Sequence, residues 1–92
     1  MAGNTSAVTN VTADKIIVPL GRHAILKGIL VSKVGTAGDK IDFKSGGSGG
    51  TIVCTIYTDG FIDMPIINTP FADGLYADVT FVGAPDVLVL YE

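Results

Sequence analysis

The sequence is poor in the residues from which metal sites and disulfides are built. It contains no tryptophan, and Cys54 and His23 are its only cysteine and histidine. One thiol and one imidazole fall short of the three or four nitrogen and sulfur ligands that zinc takes, and a single cysteine excludes a disulfide within the chain. Because Cys54 lies inside an apolar segment, we expect it to be a buried, unreactive thiol.

Charge is also scarce, and its balance is acidic. Charged residues make up 16% of the chain, with six lysines and arginines against nine aspartates and glutamates, for a net charge of -3. The sequence therefore lacks the excess of positive charge with which proteins follow phosphate groups. Nucleic acid is not an expected partner.

No apolar run is long enough to cross a membrane. The longest candidate, residues 24–34, is interrupted by Lys27, Gly28, Ser32 and Lys33, whereas a membrane span needs about 18 apolar residues. The first 14 residues lack both the charged and the apolar region of a signal peptide. We therefore expect synthesis in a cytoplasm and no membrane partner.

Hydrophobic residues, in contrast, are abundant. They make up 48% of the 92 residues, and the mean hydropathy is positive. A chain of this size buries only about two thirds of the surface that its unfolded form exposes. Unless alanines and turn residues account for the excess, this apolar content predicts a homo-oligomer with a second buried surface.

The C-terminal residues 71–92 carry the clearest strand pattern. Apolar residues alternate along its first half, where one face would consist of Leu75, Ala77, Val79 and Phe81. A turn follows at residues 83–86, and residues 87–91 then contain no charged or amide side chain. We expect a hairpin whose last strand is covered on both faces, by its own sheet layer and by a neighbouring chain.

Similar short segments, separated by glycine, proline and aspartate turns, recur along the rest of the chain. They cover residues 15–19, 22–34, 40–44, 51–58 and 61–67. A spacing of about 8 to 12 residues between strands predicts an all-β fold. We expect a small antiparallel β-sandwich, jelly-roll or Greek-key like, with seven or eight short strands. Gly28 predicts a bulge at which its long strand crosses between the sheets.

The N-terminal residues differ from this pattern. Residues 1–14 are small and polar, with Val8 and Val11 as their only sizeable apolar side chains. We expect residues 1–14 to form a flexible N-terminal arm, or alternatively a short edge strand, and residues 15–92 to form a single β-sandwich domain.

Residues 46–50, GGSGG, match the G-x-S-x-G pattern of hydrolase nucleophiles. That pattern needs a strand before it, a helix after it and a downstream histidine as base. Here a predicted strand follows, and His23 lies upstream. We therefore interpret the segment as a flexible hairpin loop and expect no enzymatic activity.

Four carboxylates lie around two successive turns and are the acidic groups most expected to converge: Asp59, Asp63, Asp73 and Asp78. Converging carboxylates bind calcium or hydrolyse glycosides. The spacing of a calcium-binding EF-hand is missing, however, and aspartate before glycine is ordinary turn chemistry. We expect no catalytic, cofactor-binding or metal-binding residues, and we assign Tyr57, Tyr76 and Tyr91 to packing rather than to a sugar site.

The C-terminal half resembles the cement, or decoration, proteins that bind the capsids of tailed bacteriophages. The similar features are a turn before Gly74-Leu75-Tyr76, a strand ending in Thr80-Phe81-Val82-Gly83, a short Ala-Pro-Asp turn and a final Val89-Leu90-Tyr91-Glu92. The resemblance extends to the glycine- and serine-rich loop followed by TIVCTIYTDG.

This resemblance implies a structural protein on the capsid surface of a virion. It would bind the major capsid protein at subunit junctions as a homo-oligomer, with a trimer favoured and a dimer possible, and it would use no cofactor. The expected capsid or subunit contacts are Val8, Val11, Leu88, Leu90 and Tyr91, and the arm is the first candidate for the contacting element. The alternative is a phage tail or fibre module that binds host-surface carbohydrate.

Overall fold

The computed structural model describes residues 7–63 and 67–92. These two ranges contain nine strands and no helix, so they include no helix that could cross a membrane. The strands are β1 (Ala7–Asn10), β2 (Lys15–Val18), β3 (Ala24–Lys33), β4 (Lys40–Ser45), β5 (Thr51–Tyr57), β6 (Ile62–Asp63), β7 (Thr69–Phe71), β8 (Leu75–Thr80) and β9 (Asp86–Tyr91).

The strands form two antiparallel sheets with one core between them. The first sheet has the order β1-β9-β3-β6, with β7 also paired to β3, and the second has the order β2-β8-β4-β5. Because β6 and β7 pair with different parts of β3, they act as one interrupted strand. Eight strand positions therefore fill two sheets of four, which confirms the predicted antiparallel β-sandwich.

The strands pair in the order expected for one long antiparallel hairpin that is then rolled up into two sheets. At its tip β4 pairs with β5, and further along β3 pairs with β6 and β7, β2 with β8, and β1 with β9. Winding then brings β9 beside β3 and β8 beside β4. Eight antiparallel strands in this double-sheet arrangement make a jelly roll, one of the two arrangements that the sequence predicts.

The predicted C-terminal hairpin is wrong, although both of its strands exist. β8 belongs to the second sheet and β9 to the first, so the two strands do not pair with each other. Residues 81–85 instead carry the chain from one sheet to the other. The sequence correctly predicts a break between the two strands. Such a break does not determine which strand each of them pairs with, because the winding of the whole chain determines the pairing.

Gly28 lies at a bulge in β3, as predicted, but β3 does not cross between sheets. The register with β9 shifts between Leu26 and Gly28, and β3 remains in the first sheet. The extra residue reverses the alternation along the strand. Leu26 is buried before the bulge, and Ile29 and Val31 are buried after it.

The core lies between the two sheets and takes side chains from both. Its buried apolar residues are Val11, Ile17, Ala24, Leu26, Ile29, Val31, Ile41, Phe43, Phe71, Leu75, Ala77, Val87 and Val89. The alternation predicted for β8 is confirmed, with Leu75 and Ala77 in the core, and β4 alternates in the same way, with Ile41 and Phe43 completely buried.

The expected arm is, where the structure describes it, part of the sandwich. Residues 7–10 form β1, which pairs with β9 along the edge of the first sheet. Val11 is completely buried, and its backbone N–H donates to the carbonyl of Val87 at 3.0 Å. The short edge strand, the second alternative above, therefore replaces the arm over these residues, because Val11 has a place in the core. Residues 1–6 lie outside the described part.

The connections gather at the two ends of the sandwich, which we name after one aspartate each. The Asp39 end consists of residues 11–14, 34–39, 58–61 and 81–85, and the Asp73 end of residues 19–23, 46–50 and 72–74. Loops at sandwich ends and the outer sides of the sheets are the surfaces open to partners.

Candidate contact surfaces

Four aliphatic side chains on the outer side of the first sheet lie next to one another, and we call this group the apolar face: Val8, Leu30, Leu88 and Leu90. In the strand register Val8 lies opposite Leu90, and Leu30 lies opposite Leu88. Val8 is 54% exposed, and the three leucines are half-buried. Their sequence neighbours on β9 are in the core, so alternation places this set on the outer side.

The apolar face arises because β9 has aliphatic residues on both sides. Val87 and Val89 are completely buried against the second sheet, whereas Leu88 and Leu90 keep part of their surface open to solvent. The sequence predicts coverage on both sides of β9, and one protomer supplies only one of the two covers.

Charged and polar groups surround the apolar face instead of interrupting it. Lys27 Nζ lies 3.6 Å from Glu92 Oε2 beside one end of the face. At the other end Asp86 lies opposite Lys33, and Asn10 closes β1. An apolar patch with a polar rim is typical of a protein interaction site.

The predicted contact residues do not all lie on this face. Val8, Leu88 and Leu90 belong to it, but Val11 is in the core with no exposed surface. Tyr91 is half-buried, packs against the core and lies opposite Ala7 and Leu26. Because Val11 has no exposed surface in this fold, it cannot contact a partner, and we remove it from the expected contact residues.

The outer side of the second sheet is charged. Lys44 Nζ lies 2.7 Å from Asp78 Oδ2, and this hydrogen bond, together with the nearby negative charge, raises the pKa of Lys44. Lys40 Nζ lies 3.8 Å from Asp42 Oδ2, and the Thr55 hydroxyl donates to Asp42 Oδ1 at 2.6 Å. The Lys44–Asp78 pair joins β4 to β8, whereas Lys40 and Asp42 lie on the same strand, so these charges are paired within the protomer.

A groove of about 670 Å³ opens at the Asp73 end. Its lining is almost entirely apolar, and consists of Ile16, Val18, Pro19, Leu20, Gly47, Ser48, Leu75 and Tyr76. Leu20 is 60% exposed and reaches over Gly47, where a Cβ would lie 3.5 Å from Leu20 Cδ2. The groove suits an apolar side chain better than a hydroxyl-rich ligand, because Ser48 and Tyr76 bring its only side-chain hydroxyls.

The Asp39 end is organised by a buried carboxylate. Asp39 is 1% exposed and accepts backbone N–H groups of Thr36 at 3.0 Å, Val82 at 2.8 Å and Gly83 at 2.9 Å. Burial by itself raises the pKa of Asp39, but these three donors outweigh it and leave the pKa below the ordinary value. The carboxylate thus joins two loops.

The aspartates expected to converge are separated. Asp59 Oδ2 accepts the Gly38 N–H at one end of the sandwich, Asp73 Oδ1 accepts the Gly21 N–H at the other, and Asp78 pairs with Lys44 between them. The side chain of Asp63 lies outside the described part. Among the side chains that the structure describes, no group of three His, Cys, Asp or Glu residues could hold a metal ion.

The remaining candidates for chemistry are equally dispersed. The GGSGG segment is the loop of the β4–β5 hairpin, and a strand follows it, as the sequence predicts. Cys54 lies on β5, where burial raises the pKa of its thiol and so disfavours the reactive thiolate. Tyr91 lies in the first sheet, whereas Tyr57 and Tyr76 lie in the second, so the three tyrosines do not form one binding surface.

Two residues of these surfaces were missed by the sequence reasoning. Leu30 joins the apolar face because the bulge at Gly28 reverses the alternation of β3, and the glycine itself was the available signal. Asp39 lies in a glycine-containing connection between two strand segments, and nothing near it in the sequence indicates that it reaches residues 82 and 83. Comparisons with protein-family models, curated proteins and solved structures found no match for this chain.

Proposed function

We propose that this protein is a capsid decoration protein of a tailed bacteriophage, which binds the major capsid protein on the outer surface of the head and stabilises subunit junctions. The observation that carries the proposal is the apolar face of Val8, Leu30, Leu88 and Leu90. It gives a small sandwich one aliphatic side that needs a cover. The resemblance at residues 74–92 supplies the class of partner, and jelly rolls occur in viral capsid proteins.

The apolar face alone supports only weak binding. Complete burial of a leucine gains about 1.5 to 3 kcal/mol, and the three leucines are already half-buried, so each adds roughly 1 kcal/mol. A few such terms are largely offset by the cost of association. An oligomer that engages several sites on a symmetric lattice overcomes this limit, because its later contacts are effectively intramolecular.

The alternative, a tail or fibre module that binds carbohydrate, has less support. Jelly rolls also occur in lectins, and the groove at the Asp73 end contains Tyr76. Sugars are recognised by aromatic faces combined with several hydrogen-bonding groups. The groove is lined mainly by aliphatic side chains, which favours a protein ligand.

The test is binding to heads of the phage that encodes the chain, prepared without this protein. Val8→Lys and Leu88→Lys place a charge in the apolar face, and we expect each to reduce the amount that sediments with heads by at least tenfold. Val82→Lys is the matched control, because Val82 is 81% exposed and lies in the 81–85 loop rather than on a strand of the first sheet.

The outcomes separate the proposals. Unchanged binding of Val8→Lys and Leu88→Lys, with folding verified by circular dichroism, would remove the apolar face from the contact. Absence of head binding by the unaltered protein, together with retention on immobilised glycans, would favour the carbohydrate module.

Deletion of residues 1–14 is not a suitable test of whether the N-terminal residues contact the capsid. It would remove β1 and the buried Val11 along with any contacting residues. Loss of binding by that variant would therefore report unfolding as readily as a lost contact.

A further inference from the structure

The two sheets have four edges, and three of them carry features that discourage pairing with another chain. Within residues 7–63 and 67–92, β1 has four residues, and β6 and β7 have two and three, with Pro70 in β7. β2 has four residues, begins with Lys15, contains an irregularity and is followed by Pro19. Short strands, lysine, proline and irregular pairing are the usual protections of a sheet edge.

The fourth edge, β5, lacks most of these protections. It has seven residues, TIVCTIY, with no charged residue, proline or glycine. Ile52 is 50% exposed, Val53 41% and Tyr57 56%. β5 pairs only with β4, so the backbone groups along its other side have no strand partner in the described protomer. A long, uncharged and apolar edge is a template for strand addition.

Residues 53–57 of β5 are self-complementary, although only residues 54–57 pair regularly with β4. The strand's one irregularity, opposite Phe43 and Lys44, affects the beginning of the strand, and pairing with β4 is regular from Cys54 to Tyr57. In an antiparallel pair of two β5 strands centred on Thr55, Cys54 would lie opposite Ile56 and Val53 opposite Tyr57. Each pair would share one face of the joined sheet, because paired residues in antiparallel strands point to the same side.

Both faces of such a joint match chemically. Cys54 and Ile56 pack against the core of their own protomer, so the two cores would meet at the joint. Val53 with Tyr57, and Thr55 with its own copy, are pairs that stabilise sheets. Lys40 and Asp42 on β4, which lie opposite Tyr57 and Thr55, are 3.8 Å apart within one protomer, so this pair brings no net charge to the joint.

From these observations we infer that β5 pairs with β5 of a second copy about a two-fold axis at Thr55, which joins two four-stranded sheets into one of eight strands. The inference does not rest on the proposed capsid function, since it concerns the purified chain. It also differs from the trimer that the resemblance favours, because a β5–β5 joint links two molecules and is then closed.

The first experiment is the solution mass of the full chain by light scattering over a range of concentrations. We expect twice the chain mass of 9.5 kDa. Thr55→Lys places two lysines opposite each other at the axis and should give the mass of a single chain, with Val82→Lys as a control that remains dimeric. A monomer or trimer for the unaltered chain, or a dimer for Thr55→Lys, would overturn the inference.

Crosslinking tests the register itself. Thr55→Cys, combined with Cys54→Ser, brings two thiols face to face at the axis, and mild oxidation should convert most of the protein into a disulfide-linked dimer. Val82→Cys in the same background is the control and should crosslink at least tenfold more slowly. Equal rates for the two variants would show that Thr55 does not lie at a two-fold axis.

Discussion

The two ends of the sandwich are each organised around one aspartate, but to very different degrees. Asp39 is buried and accepts three backbone N–H groups from two loops. Asp73 is exposed, and its carboxylate accepts a single N–H, from Gly21 at 2.7 Å. Backbone bonds from Gly46 to Asp73 and from Gly74 to Arg22 connect the rest of that end. One end is therefore a fixed part of the fold, and the other has fewer constraints on its loops.

This difference separates stability from recognition. Loops that share a buried acceptor cannot move without exposing it to solvent or removing its hydrogen-bond donors. The Asp39 end therefore has little freedom to adapt to a partner. The Asp73 end holds the apolar groove and the glycine-rich hairpin loop, whose bonds to neighbouring loops lie at its base. Substitutions at the two ends should therefore change the stability of the protein by different amounts, and in one case in the opposite direction.

The largest effect should come from Asp39→Asn. Oδ1 accepts one N–H and Oδ2 accepts two, so an amide in either orientation turns an NH₂ group toward at least one buried donor. We expect the melting temperature to fall by roughly 15 °C. Asp73→Asn is the matched change at the other end, where one oxygen is sufficient, and it should leave the melting temperature within about 2 °C. Equal decreases in melting temperature for the two variants would contradict the proposed difference between the two ends.

The same carboxylate predicts how stability responds to acid. The three donors depress the pKa of Asp39 in the folded state, despite its burial, so the folded protein holds this proton less tightly than the unfolded chain. The contribution of Asp39 is therefore fully present above the ordinary aspartate pKa, near 4, and is lost as the pH falls through the lower folded value.

Thermal melts between pH 6 and pH 2 measure this response. The unaltered protein should lose more stability below pH 4 than Asp39→Asn does, and Asp73→Asn should follow the unaltered protein. Parallel curves for all three would mean that Asp39 is not responsible for the acid sensitivity.

Two glycines extend the comparison to the backbone. At Gly83 a Cβ would lie 2.7 Å from Thr36 N, which is backbone and cannot move aside, so Gly83→Ala should cost about 2 to 3 kcal/mol. At Gly47 the space is adequate, with Leu20 Cδ2 3.5 Å away, but φ is +80°. Gly47→Ala should cost about 1 kcal/mol for the left-handed conformation alone.

Chemical unfolding of both variants gives these free energies. Gly49→Ala is the control in the same loop as Gly47, since its Cβ meets nothing within 4 Å and its φ is not positive. A Gly47→Ala cost above that of Gly83→Ala would reverse the proposed order of the two ends.

The sequence predicts much of the fold and little of what fixes its ends. Alternation along residues 40–44 and 75–81 gives the correct buried faces, because one residue after another alternates there without interruption. Alternation fails on β3, where the bulge at Gly28 shifts the register, and again on β5, where Ile52 is exposed although Cys54, two residues later, packs against the core. A bulge is a feature of two strands together, so one strand's sequence indicates it only indirectly.

The residues of the contact surfaces, like the buried faces, can be predicted only where the signal is local in the sequence. The aliphatic run of β9 predicts two covered faces, and that local signal correctly identifies Leu88 and Leu90 as outward residues. Val11 resembles Val8 in the sequence but lies in the core, because the chain turns toward the second sheet after Asn10. The acceptor role of Asp39 depends on residues 43 and 44 positions away along the chain, beyond the reach of any local pattern.

The smallest effect should have the opposite sign. Thr58 at the Asp39 end is completely buried, and its hydroxyl has no hydrogen-bond partner among the described residues. Thr58→Val removes that unpaired group with little change of shape, so we expect stability to rise by up to about 1 kcal/mol. At the Asp73 end the Ser45 hydroxyl accepts the Asp73 N–H at 3.0 Å, and Ser45→Ala should lower stability by about 0.5 to 1 kcal/mol. A loss of stability on Thr58→Val, measured by chemical unfolding, would mean that the hydroxyl is paired in solution and that the more constrained end carries no unsatisfied group.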